Sequence, residues 1–224
     1  MKRFVQYLFL LKVKYLAKIL FRFNIRQNVN AQPHDWRQVN LIIFLNHTSL
    51  FEPLLLGVAP NILLKQIAAR LMIPAADTTL ARPFTGKLLK AVIPGCIPIT
   101  RKKDASWQVF LDQVASNKLV AILPEGRMKR RNGLDKHGEP MSIKPGVVDI
   151  LERLSSGKIL FVYSGGLHHI QAPGDKLPKL FKEIDVGLEL VDIKAYKAGL
   201  LTCDSTSFKD SVVNDLQRRL STCE

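Results

Sequence analysis

Cysteine is scarce in this chain of 224 residues, which contains only Cys96, Cys203 and Cys223. An odd number of widely spaced cysteines predicts no disulfide framework, and their spacing is not that of a zinc site. The sequence therefore favours a reducing, cytoplasmic compartment.

Long apolar runs are also missing. The unbroken apolar stretch of residues 7–11 is far shorter than the roughly 20 residues that a helix needs to cross a bilayer. No small-residue cleavage site follows it, so a signal peptide is not expected. The chain has no Pro/Gly/Ser-rich linker, and its 47% of hydrophobic residues can fill one core. We expect a single domain.

Acidic residues are few relative to basic ones. The chain has 33 Lys and Arg against 19 Asp and Glu, which gives a formal net charge of +14. Such a charge predicts attraction to nucleic acid, to an anionic membrane or to phosphorylated substrates. The sequence has no zinc-finger spacing, aromatic ribonucleoprotein segment or basic-region zipper, so nucleic acid is the weaker interpretation.

Residues 1–23 combine bulky apolar side chains with basic residues and contain no acid. On a helical wheel Arg3, Lys14, Lys18 and Arg22 fall within about 100° of one another. The pattern fits an amphipathic helix that packs on the core, and it also fits a helix at a membrane interface. The absence of acids favours the membrane, because basic side chains are attracted to anionic lipid.

The rest of the chain alternates apolar strand patterns with helical patterns, which predicts an α/β domain with a mixed sheet flanked by helices. The predicted strands are residues 39–45, 62–68, 96–100, 119–123 and 158–163. The predicted helices are residues 53–58, 83–92, 104–116, 145–154 and 207–220. Residues 181–196 are predicted to be extended.

A histidine and a carboxylate follow the first of these strands, in the segment that runs from Asn46 to Pro53. On a continuous helix the five-residue interval from His47 to Glu52 would separate their side chains by roughly 140°. A non-helical turn at His47 would let them meet. A carboxylate on one ring nitrogen leaves the other nitrogen free to accept a proton, which makes a general base. The alternative is a helix cap beside a structural histidine.

Two later strands also end at polar residues. The strand that starts near Gly95 delivers Arg101 at its exit, where a guanidinium suits phosphate recognition. The strand that ends at Leu123 is followed by Pro-Glu-Gly-Arg at residues 124–127. Taken singly, either segment is more typical of a structural, solvated turn than of a functional site.

In this order, the three motifs resemble those of the glycerolipid acyltransferase family, typified by lysophosphatidic acid acyltransferase (1-acylglycerol-3-phosphate O-acyltransferase). The resemblance covers about residues 41–164. The matching positions are Asn46, His47, Ser49, Gly95, Ile97, Ile99, Arg101, Pro124, Glu125 and Gly126. Lys144-Pro145-Gly146 is similar to the family's Lys-Lys-Gly.

The departures from the family pattern are conspicuous at the first motif, where Glu52 replaces the usual Asp. The extra methylene lengthens the side chain by roughly 1.3 Å. The others are Pro98, Thr100, Leu123 in place of Phe, and Arg127 in the place of Thr.

The resemblance implies that His47 is the catalytic base and Glu52 its orienting partner. It assigns binding of the acceptor's phosphate-bearing head group to Arg101, Glu125, Gly126 and Arg127. The implied reaction moves a fatty acyl chain from acyl-CoA or acyl-carrier protein to the hydroxyl of a lysophospholipid. The thioester drives the transfer, so no metal or redox cofactor is expected.

With this resemblance, residues 1–30 are expected to be a basic amphipathic membrane-associating segment and residues 31–224 an acyltransferase domain. The protein would be peripheral (monotopic) on the cytoplasmic face of a membrane. Two alternatives stay open: a non-catalytic lipid-binding protein on the same fold, and a nucleic-acid-binding protein with chance motif matches. His168 and His169 do not predict a metal site, because adjacent histidines rarely ligate one ion.

Overall fold

The protein is described by a computed structural model. It covers residues 2–27, 31–49, 51–81, 93, 95–100, 104–114, 117–172, 175, 177–201 and 207–223. Seven strands in these residues form one mixed sheet with the order β1-β7-β6-β2-β5-β3-β4. They are β1 (Arg22–Gln27), β2 (Val39–Leu45), β3 (Leu71–Ala76), β4 (Gly95–Ile99), β5 (Leu119–Ile122), β6 (Lys158–Ser164) and β7 (Glu183–Asp192).

Five of these strands, β6, β2, β5, β3 and β4, are parallel to one another. β7 is antiparallel to β6, and β1 runs parallel to β7 at the sheet edge. The carboxyl ends of parallel strands lie at one edge of a sheet, where α/β proteins usually bind ligands. The predicted α/β class with a mixed sheet is confirmed.

Helices cover both faces of the sheet, and each face has its own apolar core. On one face lie α1 (Lys2–Leu20), α2 (Pro33–Arg37), the 3-10 helix Glu52–Val58 and α3 (Asn61–Arg70). On the other face lie α5 (Ala105–Leu111), α6 (Gly146–Arg153), α7 (Ile193–Leu201) and α8 (Phe208–Ser221). The short helix α4 (Asp77–Leu80) follows β3.

β2 is the central strand of this arrangement, and its side chains are divided between the two cores. Leu41, Ile43 and Leu45 enter one core, and Ile42 enters the other. Val39 lies on the same side as Ile42 because the register with β6 is irregular just after it. Such burial on both faces explains the continuous apolar run in the sequence.

One predicted strand is wrong. Residues 62–68 lie in α3, whose buried residues are Leu63, Leu64, Ile67 and Ala68. That spacing is the apolar stripe of a helix, and the β-branched residues in the segment hid it. The strand beside it is β3, which the sequence did not predict because its composition of Leu-Met-Ile-Pro-Ala-Ala includes Pro and Ala, both depleted in strands.

Residues 181–196 are extended only in part, because α7 begins at Ile193. The carboxylate of Asp192 accepts hydrogen bonds from the backbone N–H groups of Lys194 (2.9 Å) and Ala195 (3.0 Å), which starts the helix. The helix predicted for residues 53–58 is a 3-10 helix. The helix predicted for residues 83–92 lies outside the described residues.

Helix α1 turns an unexpected side to the core. Its buried face contains Leu10, Lys14 and Ala17, and Lys14 Nζ donates to Asn61 Oδ1 at 2.7 Å. Burial, with a smaller contribution from the charge of Lys18, lowers the pKa of Lys14. Of the four residues in the predicted basic stripe, only Lys14 is buried, while Arg3, Lys18 and Arg22 are exposed, and Arg22 lies in β1 rather than in α1. Seven apolar side chains of α1 are also exposed: Phe4, Val5, Leu8, Phe9, Tyr15, Leu16 and Ile19.

Candidate active site

The chain turns sharply at the carboxyl end of β2. Asn46 has a φ of 67°, a left-handed conformation that Asn tolerates better than most residues. Its side-chain amide donates to Ser164 O at 2.9 Å, at the end of the neighbouring strand β6. The turn takes His47 out of the strand direction, so a non-helical segment separates it from the 3-10 helix.

The structure brings His47 and Glu52 together. His47 Nδ1 lies 2.9 Å from Glu52 Oε1, and the two side chains are 18% and 11% exposed. The same oxygen accepts the backbone N–H groups of Thr48 (3.0 Å) and Ser49 (2.9 Å). These two backbone donors fix the carboxylate of Glu52 independently of its contact with the imidazole.

This contact sets the proton arrangement on the ring. A carboxylate accepts, so Nδ1 carries the proton and Nε2 of the neutral ring is an acceptor. Burial lowers the pKa of His47, but the hydrogen bond and charge of Glu52 and the charge of Glu125 outweigh it, so the net pKa is raised. The ring is a stronger base than an ordinary histidine.

Glu125 lies beneath the turn formed by Asn46 and His47, here called the corner, and only 1% of its surface is exposed. Its Oε1 accepts the backbone N–H groups of Asn46 (2.7 Å) and His47 (3.1 Å). Burial raises the pKa of Glu125, and it does so against the lowering effect of those hydrogen bonds. The carboxylate therefore binds the backbone that carries the histidine.

A cavity of about 1200 Å³ has His47 in its wall. It is larger than the roughly 300–1,000 Å³ typical of small-molecule sites. Most of the residues that line it are apolar, among them Phe9 and Leu10 of α1, Ile42 of β2, Leu63 of α3 and Val162 of β6. The cavity thus extends from the histidine to the underside of α1.

Polar side chains line another part of the same cavity, namely Arg127, His137 and Lys144. Arg127 pairs with Asp135, whose side chain is fully buried. Burial raises the pKa of Asp135, but the N–H groups of Glu139 and His137 and the charge of Arg127 outweigh it and lower that pKa to about 2. The ionised Asp135 organises the basic loop between β5 and α6.

This loop is hydrogen-bonded to the turn that carries His47. Lys129 N donates to His47 O at 2.7 Å, and His168 Nε2 donates to Lys129 O at 2.7 Å. His169 Nε2 donates to Glu183 O, so the two adjacent histidines bind different backbone carbonyls. In the residues described, no group of three or more His, Cys, Asp or Glu side chains is arranged to hold a metal ion.

The other predicted site residues are placed as follows. Gly126 lines the cavity with a φ of 64°, and a Cβ built on it would lie 3.6 Å from Lys144 Cγ. Arg101 lies outside the described residues. The sequence did not single out Asp135 or His137, because an Asp and a His in a polar loop are typical of ordinary turns.

This geometry is that of a histidine–carboxylate pair in the wall of a largely apolar cavity, and comparison with known proteins identifies the class. Residues 21–164 match the protein-family model described as Acyltransferase. The match covers more than half of the 224 residues, and the chain belongs to the acyltransferase family. The predicted family is confirmed.

Nine chains of known structure also match. One is the 1-acyl-sn-glycerophosphate (LPA) acyltransferase PlsC from Thermotoga maritima, with a TM-score of 0.55 and 15% sequence identity. The match covers 95% of this chain and 78% of that one. At this identity the likeness concerns the fold. No curated protein sequence matches the chain.

Proposed function

We propose that the protein transfers a fatty acyl chain from an acyl thioester, carried by CoA or by acyl-carrier protein, to the hydroxyl of a lysophosphatidate-like lysophospholipid. The observation that carries this proposal is the 2.9 Å contact of His47 Nδ1 with Glu52 Oε1 in the wall of a large apolar cavity. Membership of the acyltransferase family supports the same reaction type.

The chemistry assigned to His47 is proton transfer. Its Nε2 takes the proton of the acceptor hydroxyl as the oxygen attacks the thioester carbonyl carbon. The C–S bond then breaks, an ester forms, and the departing thiolate takes the proton back from Nε2. Glu52 keeps Nδ1 protonated and stabilises the imidazolium between these two events. In the net reaction the thioester C–S bond and the hydroxyl O–H bond break, an ester C–O bond and a thiol S–H bond form, and His47 returns to its neutral state.

The two parts of the cavity suit the two parts of a lysophospholipid or of an acyl donor. The apolar walls formed by α3, β2 and β6 suit a hydrocarbon chain, since burying apolar area is favourable. Arg127, His137 and Lys144 supply donors for a phosphate. Gly126 allows the chain beside Lys144 to adopt a φ of 64°, which glycine accepts without strain. Arg101, by its motif position, is assigned to the same phosphate. The carboxylate of Glu125 is assigned to positioning His47 instead, because it binds backbone N–H groups.

We assign α1 to a membrane surface. Its seven exposed apolar side chains would be costly in water and favourable in the interfacial region of a bilayer. The net charge of +14 attracts the chain to anionic lipid. Within the described ranges, no helix combines the length and apolarity needed to span a bilayer. The protein thus binds peripherally at the cytoplasmic face of a membrane through residues 1–30, and residues 31–224 form the catalytic part.

The test is an acyl-transfer assay with purified protein, lysophosphatidate and acyl-CoA or acyl-carrier protein. His47→Ala should lower turnover by roughly 10²- to 10⁴-fold, the usual contribution of a positioned general base. His34→Ala is the matched control, because His34 also lies beside a carboxylate, that of Asp35, and its side chain is 68% exposed. Lipid binding without transfer to any acceptor by the wild type would refute the catalytic proposal.

A further inference from the structure

Large apolar side chains are also exposed far from α1 in the sequence, in residues 177–182, here called the 177–182 loop. Leu177 is 79% exposed, Leu180 is 43% exposed and Phe181 is 70% exposed. Three such side chains within five residues make a patch, whereas single exposed apolar residues are common on any protein.

The 177–182 loop is joined directly to the end of α1. Phe181 N donates to Leu20 O at 2.8 Å, and Arg22 N donates to Lys182 O at 3.1 Å. The last turn of α1 contributes Ile19, which is 72% exposed. The backbone hydrogen bonds therefore place the apolar loop next to the exposed apolar side of α1.

The backbone of Phe181 is strained. Its φ is 58°, a conformation that a bulky non-glycine residue rarely adopts and that costs free energy. A ring that is 70% exposed recovers little of that cost by packing in the protein. A favourable environment outside the protein is the simplest compensation.

The charges around the loop suit an anionic surface. Lys179 and Lys182 are exposed within it. Of the nearby acids, Asp175 accepts Ala172 N at 2.9 Å and lies 3.4 Å from Arg131, and Glu183 is exposed after the loop. Two lysines that alternate with apolar side chains are typical of segments that enter the head-group region of anionic bilayers.

The loop is also connected to the catalytic corner. Lys179 N donates to Ile170 O at 2.8 Å. The next residue, Gln171, accepts a hydrogen bond from Ser49 Oγ at 3.1 Å, and Ser49 N binds the carboxylate of Glu52. A bilayer that contacts the 177–182 loop would therefore lie close to the elements that carry His47.

We propose that the 177–182 loop is a second contact with an anionic lipid bilayer, in which Leu177, Leu180 and Phe181 enter the head-group region beside α1. The inference rests on the proposed function, since it adds a second contact to the membrane surface assigned there. Two contacts on one bilayer bind more tightly than either alone and fix the orientation of the molecule.

The decisive variant is Leu177→Ser with Phe181→Asn. Asn accepts a positive φ better than Phe, so the Tm should be unchanged or higher while the apolar patch is lost. Co-sedimentation with phosphatidylglycerol vesicles should weaken by about tenfold or more. The control is Val109→Ser with Leu201→Ser, which removes side chains that are 54% and 67% exposed on helices of the opposite sheet face, and it should bind vesicles as the wild type does.

A second measurement reads insertion directly. Phe181→Trp should show a blue shift and quenching by brominated phosphatidylglycerol, in a background where Trp36 and Trp107 are replaced by Phe. Unchanged vesicle affinity of the Leu177/Phe181 variant would overturn the proposal, as would an altered oligomeric state without a change in vesicle binding. Acyl transfer to lysophosphatidate dispersed in detergent should be unaffected by that variant. Loss of activity in detergent would mean that the loop acts on acyl transfer itself rather than on membrane binding, and it would overturn the proposal without testing the role of His47.

Discussion

Glu125 supports His47 from below: one carboxylate oxygen accepts the backbone N–H of His47 at 3.1 Å and that of Asn46 at 2.7 Å. A carboxylate with 1% of its surface exposed, engaged by two amides, is a positioning group. Its charge also favours the protonated imidazole. Glu125 thus positions the backbone of His47 and adds to the larger effect of Glu52, which raises the pKa of the ring.

Glu125→Gln should lower activity and stability together. A Gln carbonyl can still accept from the amides, but it carries no charge, and weakened buried hydrogen bonds to a charged group cost about 1–3 kcal/mol. The pKa of His47 should fall, because the charge of Glu125 raises it. The pH profile of kcat/KM and the Tm are the measurements. Glu152→Gln, an exposed change on α6, is the control, and an unchanged acidic limb would contradict the assignment.

The wild-type rate should depend on pH through His47. Only the neutral ring accepts a proton, so kcat/KM should rise with pH to a plateau, with a midpoint above the ordinary histidine value of about 6.5. Because its folded-state pKa is raised, the stability that His47 contributes is complete below about pH 6.5 and is lost as pH rises through the folded-state pKa. NMR titration of the ring checks the assignment, and a midpoint below 6.5 would contradict it.

Glu52→Asp should impair this enzyme even though Asp is the usual residue in the related motif. Oε1 of Glu52 reaches His47 Nδ1 and the N–H groups of Thr48 and Ser49 at 2.9 to 3.0 Å. A side chain shorter by roughly 1.3 Å cannot keep all three contacts on this backbone, and a loss of about tenfold in kcat is expected. Steady-state kinetics with Glu52→Gln alongside test this. Higher activity of the Asp variant would show that the backbone adjusts.

Asp135→Asn should weaken acceptor binding more than turnover. Arg127 loses the negative charge of its partner, and the N–H groups of His137 and Glu139 lose a charged acceptor. A rise of about tenfold in KM for the acceptor, the scale of one charge-assisted hydrogen bond, is expected with little change in kcat. Glu139→Gln in the same loop is the control. A kcat effect without a KM effect would contradict the assigned place of the loop.

Acid should reduce the difference in stability between the Asp135→Asn variant and the wild type. The pKa of Asp135 is lowered to about 2, so its contribution to stability is complete above about pH 4 and is lost as pH falls toward 2. Thermal unfolding from pH 7 to pH 2 follows this directly.

The central strands could be predicted because their signal is local. β2 matches the prediction at both ends, since a strand buried on both faces is an unbroken apolar run. α3 was missed because its short apolar segment contains β-branched residues typical of strands, although the spacing of its four buried residues is helical. The sequence does not reveal which strands are neighbours, and that order decides most of the site.

The candidate site shows the same limit. The motif order identified His47 and Glu52, and the turn that brings them together follows from Asn46, a residue suited to a positive φ. Glu125 was expected to face the head group. Its position under the corner arises because β5 pairs with β2, so the end of one strand meets the end of the other. No pattern within residues 119–127 contains that information.

The edge position of β1 has a consequence for synthesis. Its neighbour is β7, and Glu183, the first residue of β7, follows Gln27 by 156 positions. At about 5–20 residues per second, a ribosome needs on the order of 8–30 s to make the intervening chain. During that time β1 lacks β7, the strand with which it pairs. A nascent chain arrested before residue 183 would therefore leave β1 accessible to protease while β2, β5 and β3 are already available to pair.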